Sequence, residues 1–138
     1  MTTNWSPQDD LAAGRELDAR VARDVMGWQR DTPDSIWWRV GERLIEAPPF
    51  STDIGAAWQM VEHMRRRRRF VQITCPVGDE IAVDIEGPSG ETLESSWADT
   101  TSLAICRAAL KAVSSEQPGW LARGRPRRRS SHEQNRRL

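Results

Sequence analysis

Residues 71–97 read VQITCPVGDEIAVDIEGPSGETLESSW, and this stretch decides the fold class. Apolar and polar residues alternate in three short runs within it, and a period of two is typical of strands that are buried on one face. Because turn-forming Pro, Gly, Asp and Ser residues keep the connections short, the runs predict an antiparallel β-meander. The residues predicted to face the core are Val71, Ile73, Cys75, Ile81, Val83, Ile85, Leu93, Ser95 and Trp97.

Helical patterns flank this meander on both sides. A first helix is predicted over about residues 9–26, after the capping sequence Ser6–Asp9, with Gly27 ending it. A second is predicted to begin at Ser51–Asp53, where Ser51 or Thr52 can cap, and a third follows Trp97. The prediction is an α+β fold, a three-stranded antiparallel β-meander packed with three α-helices in the order α-α-β-β-β-α. The apolar stripe of the second helix is Ile54, Ala57, Trp58, Val61 and Met64, and that of the third is Ile105, Cys106, Ala109, Leu110 and Val113. We expect Trp28 and Trp58 to anchor the core.

The segment between the first two helices leaves two alternatives open. It contains three prolines and Gly41, but also the apolar group Ile36–Val40. Either a short strand or turn lies at 36–40, or a long loop is held in place by its tryptophans. Since Trp37 and Trp38 are adjacent, at most one of them can point into the core if the chain is extended there. The other is either covered by the loop or exposed, and an exposed Trp beside Arg39 is typical of a binding hot spot.

Length and charge predict one domain and a tail. The chain has 138 residues and a formal net charge of zero. Residues 117–138 hold seven Arg and one Glu, a net charge of +6, which leaves −6 on the rest. We expect a flexible N-terminus at 1–8, a single α+β domain at 9–116 and a disordered basic tail at 117–138. No apolar run is long enough for a signal peptide or a membrane span, which favours a cytoplasmic protein with reduced thiols.

The sequence shows no catalytic or cofactor motif. It has no phosphate loop, nucleophile elbow or dinucleotide fingerprint, and the spacing of its two His and two Cys fits no zinc site. Asp84 and Glu86 share one strand face, with Glu94 expected nearby, but a solvated sheet face is favoured over a metal or acid–base site. We therefore expect no enzyme activity, no metal and no cofactor.

Arginine clusters and the paired tryptophans are the candidate binding residues. Five consecutive arginines follow the second helix, and they suit either a solvated helix end or a contact with phosphate or an acidic partner. The arginines of the tail can bind nucleic-acid backbone without sequence preference, or they merely add charge. The candidates for partner binding are Trp37, Trp38, Arg39, Arg65, Arg66, Arg67, Arg68 and Arg69, and those for nucleic acid are Arg123, Arg125, Arg127, Arg128 and Arg129.

Three blocks of the chain resemble a known family. They are LDARVARDVMGW at 17–28, PPFSTDIGAAW at 48–58 and AICRAALKA at 104–112. Their order and spacing resemble those of small bacteriophage proteins with a phage α–β–α sandwich domain. The resemblance implies a phage or prophage origin, with helices packed on a sheet, and it implies no activity. The basic tail is not part of the pattern.

The favoured interpretation is a phage accessory protein that acts in the host bacterial cytoplasm by binding a host or phage macromolecule, with inhibition of a host defence system as one version. One alternative is a protein that associates non-specifically, and weakly, with nucleic acid through its tail. Another is a small-ligand binder that uses the cleft between the tryptophan-containing segment and the helix that starts at Ser51. The sequence indicates no membrane partner and leaves the oligomeric state open.

Overall fold

The computed structural model describes residues 11–75 and 78–116. Within them the helices are α1 (Arg15–Arg20), α2 (Ile54–Arg66) and α3 (Thr101–Glu116), and a π-helical turn (Val21–Val25) continues α1. The strands are β1 (Gln29–Arg30), β2 (Trp37–Val40), β3 (Arg43–Glu46), β4 (Phe70–Thr74), β5 (Ile81–Glu86) and β6 (Thr92–Ala98). These strands form two antiparallel sheets, ordered β1-β2-β3 and β4-β5-β6. The predicted flexible N-terminus and basic tail lie outside the described residues.

The larger sheet is the predicted meander, but its last strand faces the other way. Val83 pairs with Ser96 and Ile85 with Glu94, so these β6 residues lie on the core face, and Trp97 points away from it and is 51 % exposed. The prediction that Ser95 and Trp97 face inward is therefore wrong, whereas Leu93 is half-buried at a β-bulge and has no paired residue in β5. The reason is the close approach of α3, because small residues such as Ser96 and Ala98 leave room for a helix and an indole would not.

Helix α3 is the centre of the core, as its apolar stripe predicts. It packs on β5 and β6 on one side and against α2 and the π-helical turn on others. Alanines make up much of its buried surface, which lets these neighbours approach closely. Its completely or nearly completely buried residues include Ala104, Ile105, Cys106, Ala108, Ala109 and Leu110.

Helix α2 is rotated relative to the prediction. Its buried residues are Ala56, Ala57, Met60, Val61 and Met64. Ile54 and Trp58 lie one turn apart on the exposed side, and Trp58 is 47 % exposed. Trp58 therefore does not anchor the core. Phe50 does so instead, since it is fully buried and packs on the half-buried Trp28 with ring centroids 6.0 Å apart.

Helix α1 is shorter than predicted, because it begins at Arg15 and residues 11–14 are not helical. Its last turn widens into the π-helical turn, where the Met26 N–H donates to the Val21 carbonyl at 2.9 Å. Gly27 then ends the helix in the left-handed region at φ 75°, as the sequence predicts. The turn places Val21, Ala22 and Val25 in the core.

The segment 29–46 forms a sheet of its own. The alternative with a strand at 36–40 is the correct one, and β2 continues into β3 as a hairpin in which Val40 pairs with Arg43. Only two residues connect these strands, and Gly41 takes the first position with φ 63°, a conformation that glycine adopts without strain. This small sheet lies beside the π-helical turn, which β1 contacts.

Candidate functional site

Trp37 and Trp38 lie on opposite faces of the small sheet. Trp38 is 4 % exposed and belongs to the core, whereas Trp37 is 44 % exposed. The prediction that at most one of the two points inward is confirmed. The alternation follows from the extended backbone of β2, and it gives the sheet one face for packing and one for solvent.

The solvent-facing side of the β2–β3 hairpin carries mixed apolar and charged groups. Trp37 pairs with Glu46 and Arg39 pairs with Leu44, so these four side chains share one face, which we call the outer hairpin face. Arg39 is held in place because its Nη2 donates to the Asp31 Oδ1 at 2.6 Å. Trp and Arg are residue types that are enriched at protein interfaces, and the exposed Leu44 adds apolar surface beside Trp37 and Arg39.

The packing side of the same sheet borders a cavity of about 670 Å³. The Arg30 guanidinium lies 4.8 Å from the centroid of the Trp38 ring, a cation–π contact, and its Nη1 donates to the Pro33 carbonyl at 3.1 Å. Arg23 forms an ion pair with Asp24 at 2.7 Å, and this hydrogen bond raises the pKa of Arg23. The cavity is lined by Glu16, Ala19, Arg20, Arg23, Trp28, Gln29, Arg30, Pro33 and Trp38.

The five arginines at 65–69 do not form one patch. Helix α2 ends within them, and Arg65 lies against Glu62 at 2.9 Å. The Arg68 N–H donates to the Arg65 carbonyl and the Arg69 N–H to the Met64 carbonyl, which is a Schellman ending. The run is therefore divided between the helix end, a turn and the single residue that precedes β4.

The Schellman ending predicts a stabilising substitution. Arg68 occupies the left-handed position at φ 66°, which costs a non-glycine residue energy. We expect Arg68→Gly to raise the free energy of unfolding by about 0.5–1 kcal/mol in urea denaturation. Arg66→Gly removes the same charge from the last helical residue and should lower it by about 0.5–1 kcal/mol. Equal effects of the two variants would show that charge, and not backbone conformation, governs this helix end.

The acidic residues singled out in the sheet are separated. Asp84 accepts a hydrogen bond from the Ser95 hydroxyl at 2.5 Å on the outer sheet face, next to Glu86 along the strand. Glu94 lies on the opposite face and binds the Ser115 hydroxyl. Among residues 11–75 and 78–116, no group of three or more His, Cys, Asp and Glu is placed to hold a metal ion.

Two other titratable groups are shifted by their surroundings. Burial, and then the nearby Arg67, lower the pKa of His63. Burial raises the pKa of the Cys106 thiol, and the charge of Asp18 adds to this effect. Both shifts favour the neutral form of the side chain. The tail candidates Arg123, Arg125, Arg127, Arg128 and Arg129 lie outside the described residues.

A buried carboxylate that the sequence analysis did not single out connects two parts of the chain. Asp18 is 7 % exposed, and its Oδ1 accepts from the Ser51 N–H at 2.8 Å and from the Ser51 hydroxyl at 2.7 Å. The Ser51 Oγ in turn accepts from the Gly14 N–H at 2.9 Å. Ser51 therefore does not cap α2. That role belongs to Asp53, which accepts from the Ala56 N–H at 2.8 Å.

This network also bears on the ligand cleft expected beside Ser51. Ser51 is 1 % exposed and lines neither of the two cavities described in this part of the chain. Both cavities lie between α1 and the small sheet instead. The sequence signal for Asp18 was its position, because it follows Leu17 and precedes Val21 by three residues on the buried side of the helix.

Comparison with known proteins decides the family. The phage ABA sandwich domain matches residues 19–110, about two-thirds of the chain, from the end of α1 into α3. The chain belongs to the phage ABA sandwich domain family. The matched range includes both sheets, so the outer hairpin face and the arginine run of this chain lie within it.

One solved structure has a similar fold. A phage protein from Bacillus cereus, with a crystal structure at 2.0 Å, superposes with a TM-score of 0.61 at 23 % identity, covering 78 % of this chain and 99 % of that one. At this identity the likeness shows the fold. Comparison with curated proteins returns no match. In the described part of the chain, no helix has the length and apolar content needed to cross a bilayer.

Proposed function

We propose that this family member is an accessory protein that binds a host or phage protein through its outer hairpin face and carries out no reaction of its own. The observation that carries the proposal is the half-exposed Trp37 next to an arginine held by Asp31. Since the chain belongs to a phage family, components of a host defence system are one class of partner to test.

The outer hairpin face has the composition of a protein-binding surface. Exposed indole rings cost solvation free energy that a partner can recover, and Trp and Arg supply a large share of the binding energy at measured interfaces. The ion pair between Arg39 and Asp31 lowers the conformational entropy that Arg39 loses on binding. A two-residue hairpin connection gives the whole face a defined backbone geometry.

A pair of tryptophan variants tests this assignment. We expect Trp37→Ala to weaken the complex with a partner captured from bacterial lysate by more than about 1 kcal/mol, measured by calorimetric titration. Trp97→Ala is the matched control, because Trp97 is similarly exposed at 51 % but lies on the outer face of the larger sheet. Its complex should keep the affinity of the unmodified protein. The assignment is wrong if Trp97→Ala abolishes binding and Trp37→Ala does not.

Nucleic-acid association through the tail is the second candidate function. Its support is the charge distribution, +6 on residues 117–138 against −6 on the remainder. Such binding would be independent of sequence and would weaken steeply with salt, because it rests on counterion release from phosphates. Truncation after Glu116 should then abolish duplex binding at low salt. Retention of binding by the truncated chain would assign it to the domain.

A further inference from the structure

One of the residues that line the cavity beside the small sheet, Ala19 on α1, has a small side chain. Glu16, Arg20 and Arg23 recur at helical spacing along the face that lines it, and Ala19 lies between them. A larger residue at position 19 would occupy this space. With about 670 Å³, the cavity has the volume of pockets that hold small organic ligands.

The charge of the cavity is opposite to that of the surrounding domain. Arg20, Arg23 and Arg30 line it against Glu16 alone, whereas residues 1–116 carry a net charge of −6. None of the ion pairs formed by the described residues involves Arg20. Arg23 is paired with Asp24, so Arg20 and Arg30 are the lining cations that form no ion pair among the described residues, and an anionic ligand supplies a partner for them. Guanidinium groups bind phosphate oxygens with paired hydrogen bonds.

Planar surfaces accompany these cations. Arg30 lies over the buried ring of Trp38, so its guanidinium is held in place before any ligand arrives. The partly buried Trp28 also lines the cavity. Indole and guanidinium planes both accept an aromatic ring by stacking. The cavity thus combines sites for an anionic group and for a flat ring.

An adjoining cavity indicates the orientation of a ligand. It measures about 450 Å³ and shares Ala19, Arg30 and Trp38 with the first. Three carboxylates, Asp18, Asp34 and Glu46, line it together with Arg15, so it is unfavourable for an anion.

We infer that the Arg20–Arg23–Arg30 cavity binds a phosphorylated small molecule with a planar ring, of about mononucleotide size, with its phosphate among these arginines.

This inference does not depend on the protein-binding function, because it concerns the opposite side of β2. Calorimetric titration of the full-length protein at about 0.15 M salt tests it with four probes: AMP, adenosine, ribose phosphate and inorganic phosphate. We expect AMP to bind with a dissociation constant below about 1 mM, and each probe that lacks the ring or the phosphate to bind at least about tenfold more weakly.

Three variants locate the binding, and all of them keep the basic tail. Ala19→Leu fills the cavity without a change of charge, and Arg20→Gln removes one cation and keeps a polar side chain at a half-buried position. Both should weaken AMP binding at least about tenfold, whereas Arg66→Gln, on the exposed end of α2, should not. The inference is wrong if the dissociation constant for AMP is above about 1 mM. It is also wrong if both cavity variants bind AMP as tightly as the unmodified protein, because the binding site would then be the tail.

Discussion

Asp18→Ala is expected to lower the free energy of unfolding by about 3–5 kcal/mol. The substitution leaves the Ser51 N–H and hydroxyl without their acceptor in a site where Ser51 is 1 % exposed. It also releases the link between α1 and the segment that leads into α2. Urea denaturation followed by circular dichroism measures the effect.

Two further aspartate variants separate hydrogen bonding from charge. Asp18→Asn keeps an Oδ1 acceptor for both Ser51 donors and should cost about 1–2 kcal/mol, because hydrogen bonds to a charged group are stronger. Asp24→Ala removes a carboxylate of the same helical segment from a surface ion pair and should cost less than about 1 kcal/mol. If Asp18→Ala lowers the free energy of unfolding no more than Asp24→Ala does, water replaces the carboxylate and the hydrogen bonds to Ser51 do not stabilise the fold.

Phe50→Ala is expected to cost about 3–5 kcal/mol, the range for truncating a buried aromatic residue. Phe50 is completely buried. Its ring packs on that of Trp28, with the two centroids 6.0 Å apart. Its loss leaves a void between the start of α2 and the segment that follows the π-helical turn. The same urea denaturation assay measures the change.

Trp58→Ala provides the comparison, because it removes a larger side chain from an exposed position. With 47 % of its surface in solvent, Trp58 should contribute no more than about 1–2 kcal/mol. A loss for Trp58→Ala that exceeds the loss for Phe50→Ala would mean that α2 turns its other face to the core. The pair therefore tests the rotation of α2 directly.

The differences between prediction and structure have a common origin. Trp58 and Trp97 are the largest apolar residues of their elements, and hydrophobicity alone assigns both to the core. The structure buries alanines and small polar residues in their place, such as Ala56 and Ser96. Close contact of α2, β6 and α3 requires small side chains at the interface, and packing space, not hydrophobicity, decides the outcome there.

The hairpin of the small sheet was only partly predicted. The signal was present in Gly41, which lies between two short runs that can form strands, WWRV and RLIE. Three prolines in the same segment favoured a loop, and they occupy positions before and after the strands. The sequence predicted a ligand cleft beside the tryptophan-containing segment. It assigned the opposite wall of that cleft to the helix start at Ser51, whereas α1 forms the opposite wall of the observed cavity.

Local pattern was sufficient for the meander, for the apolar stripe of α3, for the helix end at Gly27 and for the opposite orientations of Trp37 and Trp38. Each of these depends on residues close together in the chain, where backbone geometry fixes which side chains share a face. The Asp18–Ser51 hydrogen bonds, the outward turn of Trp97 and the gathering of Arg20, Arg23 and Arg30 around one cavity were decided only by tertiary structure. They depend on which elements meet and how closely they approach, and a pattern along one element carries no record of the space that its neighbours leave.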